Sequence, residues 1–161
     1  MLIRELQNTF AQPGRVVSLV IRPGRALPVE ARASVEAVAN QGLMGDRSRG
    51  GNRQVTLIQQ EHLAATAACL GQVMIDGALT RRNIVTAGIN LIALKGKQFW
   101  VGNALLEYTG ECHPCSRMEE ALGPGGYNAM RGHGGITARI LVSGTVHEGD
   151  AVRVHDEETT N

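Results

Sequence analysis

The apolar residues of this chain come in short β-branched runs, and glycine or proline closes most of them. Residues 15–22 read Arg-Val-Val-Ser-Leu-Val-Ile-Arg and stop at Pro23-Gly24. Such a run fits a pleated strand, and the Pro-Gly pair turns the chain out of it. Similar runs stand at 53–58, 90–94, 98–101, 104–109, 137–142 and 151–154. Gly96-Lys97 and Gly102-Asn103 separate three of them at hairpin spacing. Residues 27–38 alternate more loosely, with Val29, Ala31, Ala33, Val35 and Ala37 on one expected face. Many short strands joined by tight turns bury their apolar faces by stacking sheets or by closing one sheet on itself. The expected fold is mainly β, a barrel-like domain carrying a few helices.

Residues 59–70 predict the clearest helix. Leu63, Ala64, Ala67 and Ala68 keep helical spacing there, Gly71 ends it, and Cys69 falls on its apolar side. A shorter helix is expected from near Pro114 to Leu122. Segments 42–51 and 128–135 read as Gly-rich loops, and 156–161 as a polar tail. The length suits one domain over 1–161, with its core at about 15–154. A net charge of +1 gives no pull toward nucleic acid or a membrane surface. No apolar run approaches the ~20 residues of a membrane span. The first twelve residues lack the apolar core of a secretory signal, and three cysteines do not make a disulfide framework. The expected compartment is the cytoplasm.

Of the 16 basic residues, 14 are arginine, the side chain whose planar fork suits phosphate and carboxylate. Four segments could carry chemistry. The first is Cys112-His113-Pro114-Cys115, between a strand and a helix. Proline favours the first helical turn, which puts Cys115 at the positive helix end, where a thiolate is favoured and where Arg117 and His113 add to the field. The spacing suits a dithiol pair, half a zinc site, or one metal-binding thiolate. A dithiol pair belongs at the start of a long helix early in a βαβ unit. A zinc site needs a second ligand pair, for which His133 is the one plausible recruit. The second segment, 42–53, brings Arg47, Arg49 and Arg53 to a loop that can turn backbone N–H groups toward an anion; its Asp46 could instead simply pair with a neighbouring arginine. The third, Thr80-Arg81-Arg82-Asn83, offers two cations and an amide with both donor and acceptor. The fourth is the loop holding Arg131 and His133.

In their order along the chain these segments resemble the MOSC domain, the module at the C-terminus of molybdenum-cofactor sulfurases and in amidoxime-reducing proteins. The marks are Gly-Asp-Arg at 45–47, Arg-Gln-Val-Thr-Leu at 53–57, Arg-Arg-Asn at 81–83, Pro-Cys at 114–115, and the closing Gly-Gly-Ile-Thr-Ala-Arg-Ile-Leu and Val-His-Glu-Gly-Asp. The resemblance runs from about Arg15 to Val154. It implies a β-barrel-like fold, a molybdenum-pterin cofactor with Cys115 as metal ligand, and Arg81 and Asn83 on the pterin or its phosphate. Arg47 and Arg53 would lie nearby, with Arg131 and His133 as further candidates. It implies pyridoxal phosphate more weakly. The implied activity is reduction of N-hydroxylated small molecules with electrons from a separate flavin or iron–sulfur protein. The alternative is a sulfur carrier with a persulfide on Cys115. Two features depart from the family's pattern: the chain has no room for the N-terminal barrel of the amidoxime-reducing proteins, and Cys112 adds a second thiol able to close a disulfide onto Cys115.

Overall fold

A computed structural model describes residues 1–156. Its order is α1 (Ile3–Gln7), β1 (Gly14–Ile21), β2 (Glu30–Arg32), β3 (Ser34–Val38), β4 (Gly42–Leu43), β5 (Val55–Gln59), α2 (Gln60–Cys69), a 3-10 turn (Gly77–Thr80) and β6 (Ile84–Ala87). A second 3-10 turn (Leu91–Leu94), β7 (Gln98–Val101), β8 (Ala104–Glu111), α3 (Ser116–Leu122), α4 (Gly126–Met130), β9 (Ile136–Val142), β10 (Gly144–His147) and β11 (Ala151–Val154) follow. Seven strands run β11-β7-β8-β9-β5-β6-β1, and β1 pairs back onto β11, so the sheet closes into a barrel. β2 extends one end of β1, and β10-β3-β4 form a separate small sheet. All the barrel pairings are antiparallel except β5 with β6. Those two are joined through α2, the crossover that parallel neighbours require.

β5 and β6 are buried along their whole length. Leu57 and Ile84 belong to the barrel core with Phe99, Leu106, Ile136 and Ile140. Ile58 and Val85, one residue on, point to the other face and pack with Leu63 and Ala67 of α2, Met118 and Leu122 of α3, and Met130. Strands covered on both faces read as continuous apolar runs, as Val-Thr-Leu-Ile and Ile-Val do here. α2, α3 and α4 thus cover one wall of the barrel.

The expected helix at 59–70 forms between its caps Gln59 and Leu70. Of its expected apolar face Leu63 and Ala67 are buried, but Ala64, Ala68 and Cys69 are exposed. Residues 90–94 form a 3-10 turn, not a strand, so Gly96-Lys97 joins a turn to β7, whereas Gly102-Asn103 does close the β7–β8 hairpin. In 27–38 only Val35 and Ala37 are buried, because β2 lies on the surface. The loop expected at 128–135 begins inside α4. Apart from Asp156, the expected tail lies outside the described residues. Among those residues no helix is long and apolar enough to cross a membrane.

Candidate functional site

Two of the motif segments meet at a buried carboxylate. Asp46 Oδ1 accepts from the Arg22 backbone N–H at 2.7 Å, Arg22 Nε at 3.1 Å and Asn83 Nδ2 at 2.9 Å. Its Oδ2 accepts from Arg22 Nη2 and the Ser48 backbone N–H, both at 3.0 Å. Burial by itself would raise the Asp46 pKa, but the bonds and charge of Arg22 overcome that and hold it below the usual carboxylate range. Asn83 Oδ1 accepts from the backbone and hydroxyl of Thr56 at 3.0 and 3.1 Å, and its Nδ2 also donates to the Val20 carbonyl at 3.2 Å. The amide expected to face a pterin is therefore spent inside the protein. Asn83 ties the barrel wall to the Asp46 loop and has no free edge for a ligand. The partner of Asp46 is also not a sequence neighbour but Arg22, at the end of β1.

Above this network the arginines gather. Arg81 ends the first 3-10 turn in a left-handed conformation, φ 59°, a strained state for a side chain with a Cβ. Its Nη1 donates to the Leu27 carbonyl at 2.5 Å and its Nη2 to the Gly24 carbonyl at 3.1 Å. Burial lowers its pKa first, then the charges of Arg22, Arg117 and Arg47, against which only Asp46 pulls. Since Asp46 is engaged by Arg22, the positive charge of Arg47, Arg81 and Arg117 is not balanced locally. Among the described residues none of the three has an ion-pair partner.

The cysteine turn leads away from β8. Cys112 is buried, and its N–H donates to the Gly135 carbonyl at 2.8 Å. Cys115 caps the N-terminus of α3, just outside the first turn where it was expected, and is exposed. All three cysteines are free thiols. Arg82, which lies beside Arg81, grips this turn. Its Nε donates to the Gly134 carbonyl at 2.9 Å, Nη1 to that of Thr80 at 2.9 Å, and Nη2 to those of Cys112 and His113 at 3.1 and 3.4 Å. In the sheet β5 and β9 separate the two segments that this one side chain bridges.

The fold thus brings Arg47, Arg81, Arg117 and Cys115 into one neighbourhood, with Arg53 exposed and close enough for its charge to act on Arg82. Arg131 is exposed on the turn after α4. His133 faces elsewhere: its Nδ1 lies 3.0 Å from the Ala129 carbonyl and its ring 5.2 Å from that of His62 on α2. Among the described residues no group of three His, Cys, Asp or Glu side chains assembles that could hold a metal, so the second ligand pair of a zinc site is not built. Neither lysine joins the cluster: Lys97 bonds Asn8, and Lys95 is exposed. A hollow of about 460 Å³ lies near β11, lined by Phe10, Pro13, Ile89 and Val154 among others, and contains none of these residues. Sequence reasoning missed Arg22 and gave Arg82 no role beyond that of a second cation beside Arg81. The available signal was a buried-type Gly-Asp-Arg carboxylate needing a partner, and an Arg-Arg pair in which one cation could face outward and the other in.

A family profile described as the MOSC domain matches residues 44–153. Among solved structures, the chain is similar to the YuaD protein from Bacillus subtilis at TM-score 0.76 and 20% identity, covering 91% of this chain and 98% of that one. It is also similar to YiiM from Geobacillus stearothermophilus, at TM-score 0.73 and 19% identity over 91% and 77% of the two chains. For YiiM from Escherichia coli the values are 0.67, 18%, 91% and 72%. At these identities the likeness speaks for the fold alone. No curated protein sequence matches the chain.

Proposed function

Because this chain belongs to the MOSC domain family, we propose that it binds a molybdenum-pterin cofactor with Cys115 as thiolate ligand, and that it reduces N-hydroxylated small molecules. The observation that carries this is an exposed free thiol beside arginines whose one nearby carboxylate is already consumed by Arg22. The donor set fits the group. Soft sulfur suits such a metal, and guanidinium forks suit an anionic pterin phosphate. When bound, the cofactor supplies the redox chemistry.

The chain's own residues bind and orient. Arg47 and Arg117 have no ion-pair partner among the described residues, and Arg81 is held by the 22–29 loop so that its guanidinium stays at the cluster. Asp46 and Asn83 keep the loop and the start of β6 together beneath them. Removing oxygen from an N-hydroxyl group takes two electrons and two protons and releases water; a separate flavin or iron–sulfur protein provides the electrons in this reading.

The test is metal and pterin analysis of protein made in a cofactor-competent host. Wild type should carry molybdenum and pterin in equal amounts, and Cys115→Ser should lose the metal. Arg81→Ala should fold but lose about tenfold in occupancy at limiting cofactor, as expected for one charge-assisted hydrogen-bonding group at roughly 1.5–3 kcal/mol. Wild-type protein free of molybdenum but carrying a persulfide on Cys115 would sink this reading in favour of a sulfur carrier.

A further inference from the structure

Arg82 is 7% exposed, and among the described residues its guanidinium bonds only neutral backbone carbonyls. A buried cation without a counter-ion is costly. The protein bridges other backbone groups with neutral amides: Gln54 links the Gly51 carbonyl to the buried Ile140 N–H, and Asn83 joins Thr56 to Val20 in the interior. A bridge alone therefore does not need a charge. The surroundings of Arg82 sharpen the point. Burial pushes its pKa down, the sulfurs of Cys112 and Cys115 favour its charge, and Arg22 and Arg53 oppose it. Of the two sulfurs only Cys115 is open to solvent.

We propose that Arg82 is a positioning residue for Cys115. Its fork fixes the 112–115 turn against Thr80 and Gly134, and its buried charge sets a positive field at the Cys115 sulfur that favours anionic groups arriving there. This rests on the preceding reading only in taking Cys115 as the reacting sulfur of the site.

The test compares alkylation of Cys115 by iodoacetate, an anion, and by iodoacetamide, which is neutral. The same thiolate attacks the carbon of both reagents and displaces iodide, so the ratio of their rates cancels the thiolate fraction and reports the field alone. Cys69, exposed at the end of α2, is the internal control, and peptide mass spectrometry resolves the sites. Arg82→Gln should lower the ratio at Cys115 severalfold, the effect of removing one nearby charge that solvent only partly screens. The ratio at Cys69 should not change. Arg82→Lys, which keeps the charge and loses the fork, should hold most of the ratio while Cys112 becomes reactive. The loss in Arg82→Gln should persist at ~1 M salt, where exposed arginines are screened over about 3 Å. An unchanged ratio in folded Arg82→Gln, or a lost one in folded Arg82→Lys, overturns the proposal. If Arg82→Gln does not fold, Arg82→Lys decides alone: a lost ratio, or Cys112 as unreactive as in wild type, overturns the proposal. Protein that binds no molybdenum yet shows the Arg82-dependent ratio would fail the function and keep this inference. Molybdenum on Cys115 with an unchanged ratio would do the reverse.

Discussion

Removing the Asp46 carboxylate should destabilise the fold far more than removing a surface charge. In Asp46→Ala, Arg22 loses three bonds, and Ser48 N–H and Asn83 Nδ2 lose one each. The side chains of Arg22 and Asp46 are 14% and 0% exposed, so water replaces little of what is lost. Breaking a buried pair from one side costs about 3–5 kcal/mol, because the other charge stays behind. For a chain this size that corresponds to a fall in melting temperature of roughly 10 °C or more. Urea unfolding of four proteins, wild type, Asp46→Ala, Arg22→Met and the double variant, measures it. The double variant should be less destabilised than the sum of the singles, since removing both partners removes the stranded charge. The pH dependence gives a second check. With its folded pKa depressed, Asp46 contributes stability that is fully present above the ordinary carboxylate value of about 3.9 and is lost as pH falls through the lowered folded value. The gap between wild type and Asp46→Ala should therefore close on acidification. A cost under about 1 kcal/mol, the size of a surface pair, or strict additivity in the cycle, would refute the reasoning.

Two further outcomes are expected. Gly135 and Gly125 both have φ +90°, but a Cβ on Gly135 would lie 2.0 Å from the Leu57 carbonyl oxygen while one on Gly125 meets nothing within 4 Å. Gly125→Ala should therefore cost only the backbone strain of about 1–3 kcal/mol, and Gly135→Ala should abolish the native melting transition; equal transitions in the two variants would contradict the packing described for the start of β9. The pKa of His62 is lowered by burial and then by His133, so its contribution to stability is present above about 6.5 and is lost as pH falls through the folded value. His133→Gln should raise the His62 pKa in an NMR titration, and an unmoved titration would show that the ring pair at 5.2 Å carries no coupling.

The sequence by itself determined the local units. β-branched runs between glycines specified strands, helical spacing specified α2, and the proline before Cys115 placed that cysteine at a helix start. The Gly-Asp-Arg, Arg-Arg-Asn and Pro-Cys marks pointed to the family. Local pattern misled at two places, because a short apolar run does not by itself distinguish a strand from a turn, and a surface strand can keep the alternation of a half-buried one. Residues 90–94, apolar enough for a strand, became a 3-10 turn, and the alternation at 27–38 spent half its length on the surface. The partners of the polar residues were decided only by the tertiary structure. Asn83 looked like a ligand-binding amide and is a buried brace to Thr56, Val20 and Asp46; Asp46 reached past Arg47 to Arg22; Arg82 crossed two strands to hold the cysteine turn. Closing β1 onto β11 fixes which chain segments lie side by side, and a buried donor or acceptor must then bond whatever that closure places within reach. That proximity is set by contacts between residues 24 to 63 positions apart in these pairs, a distance at which local spacing carries no information.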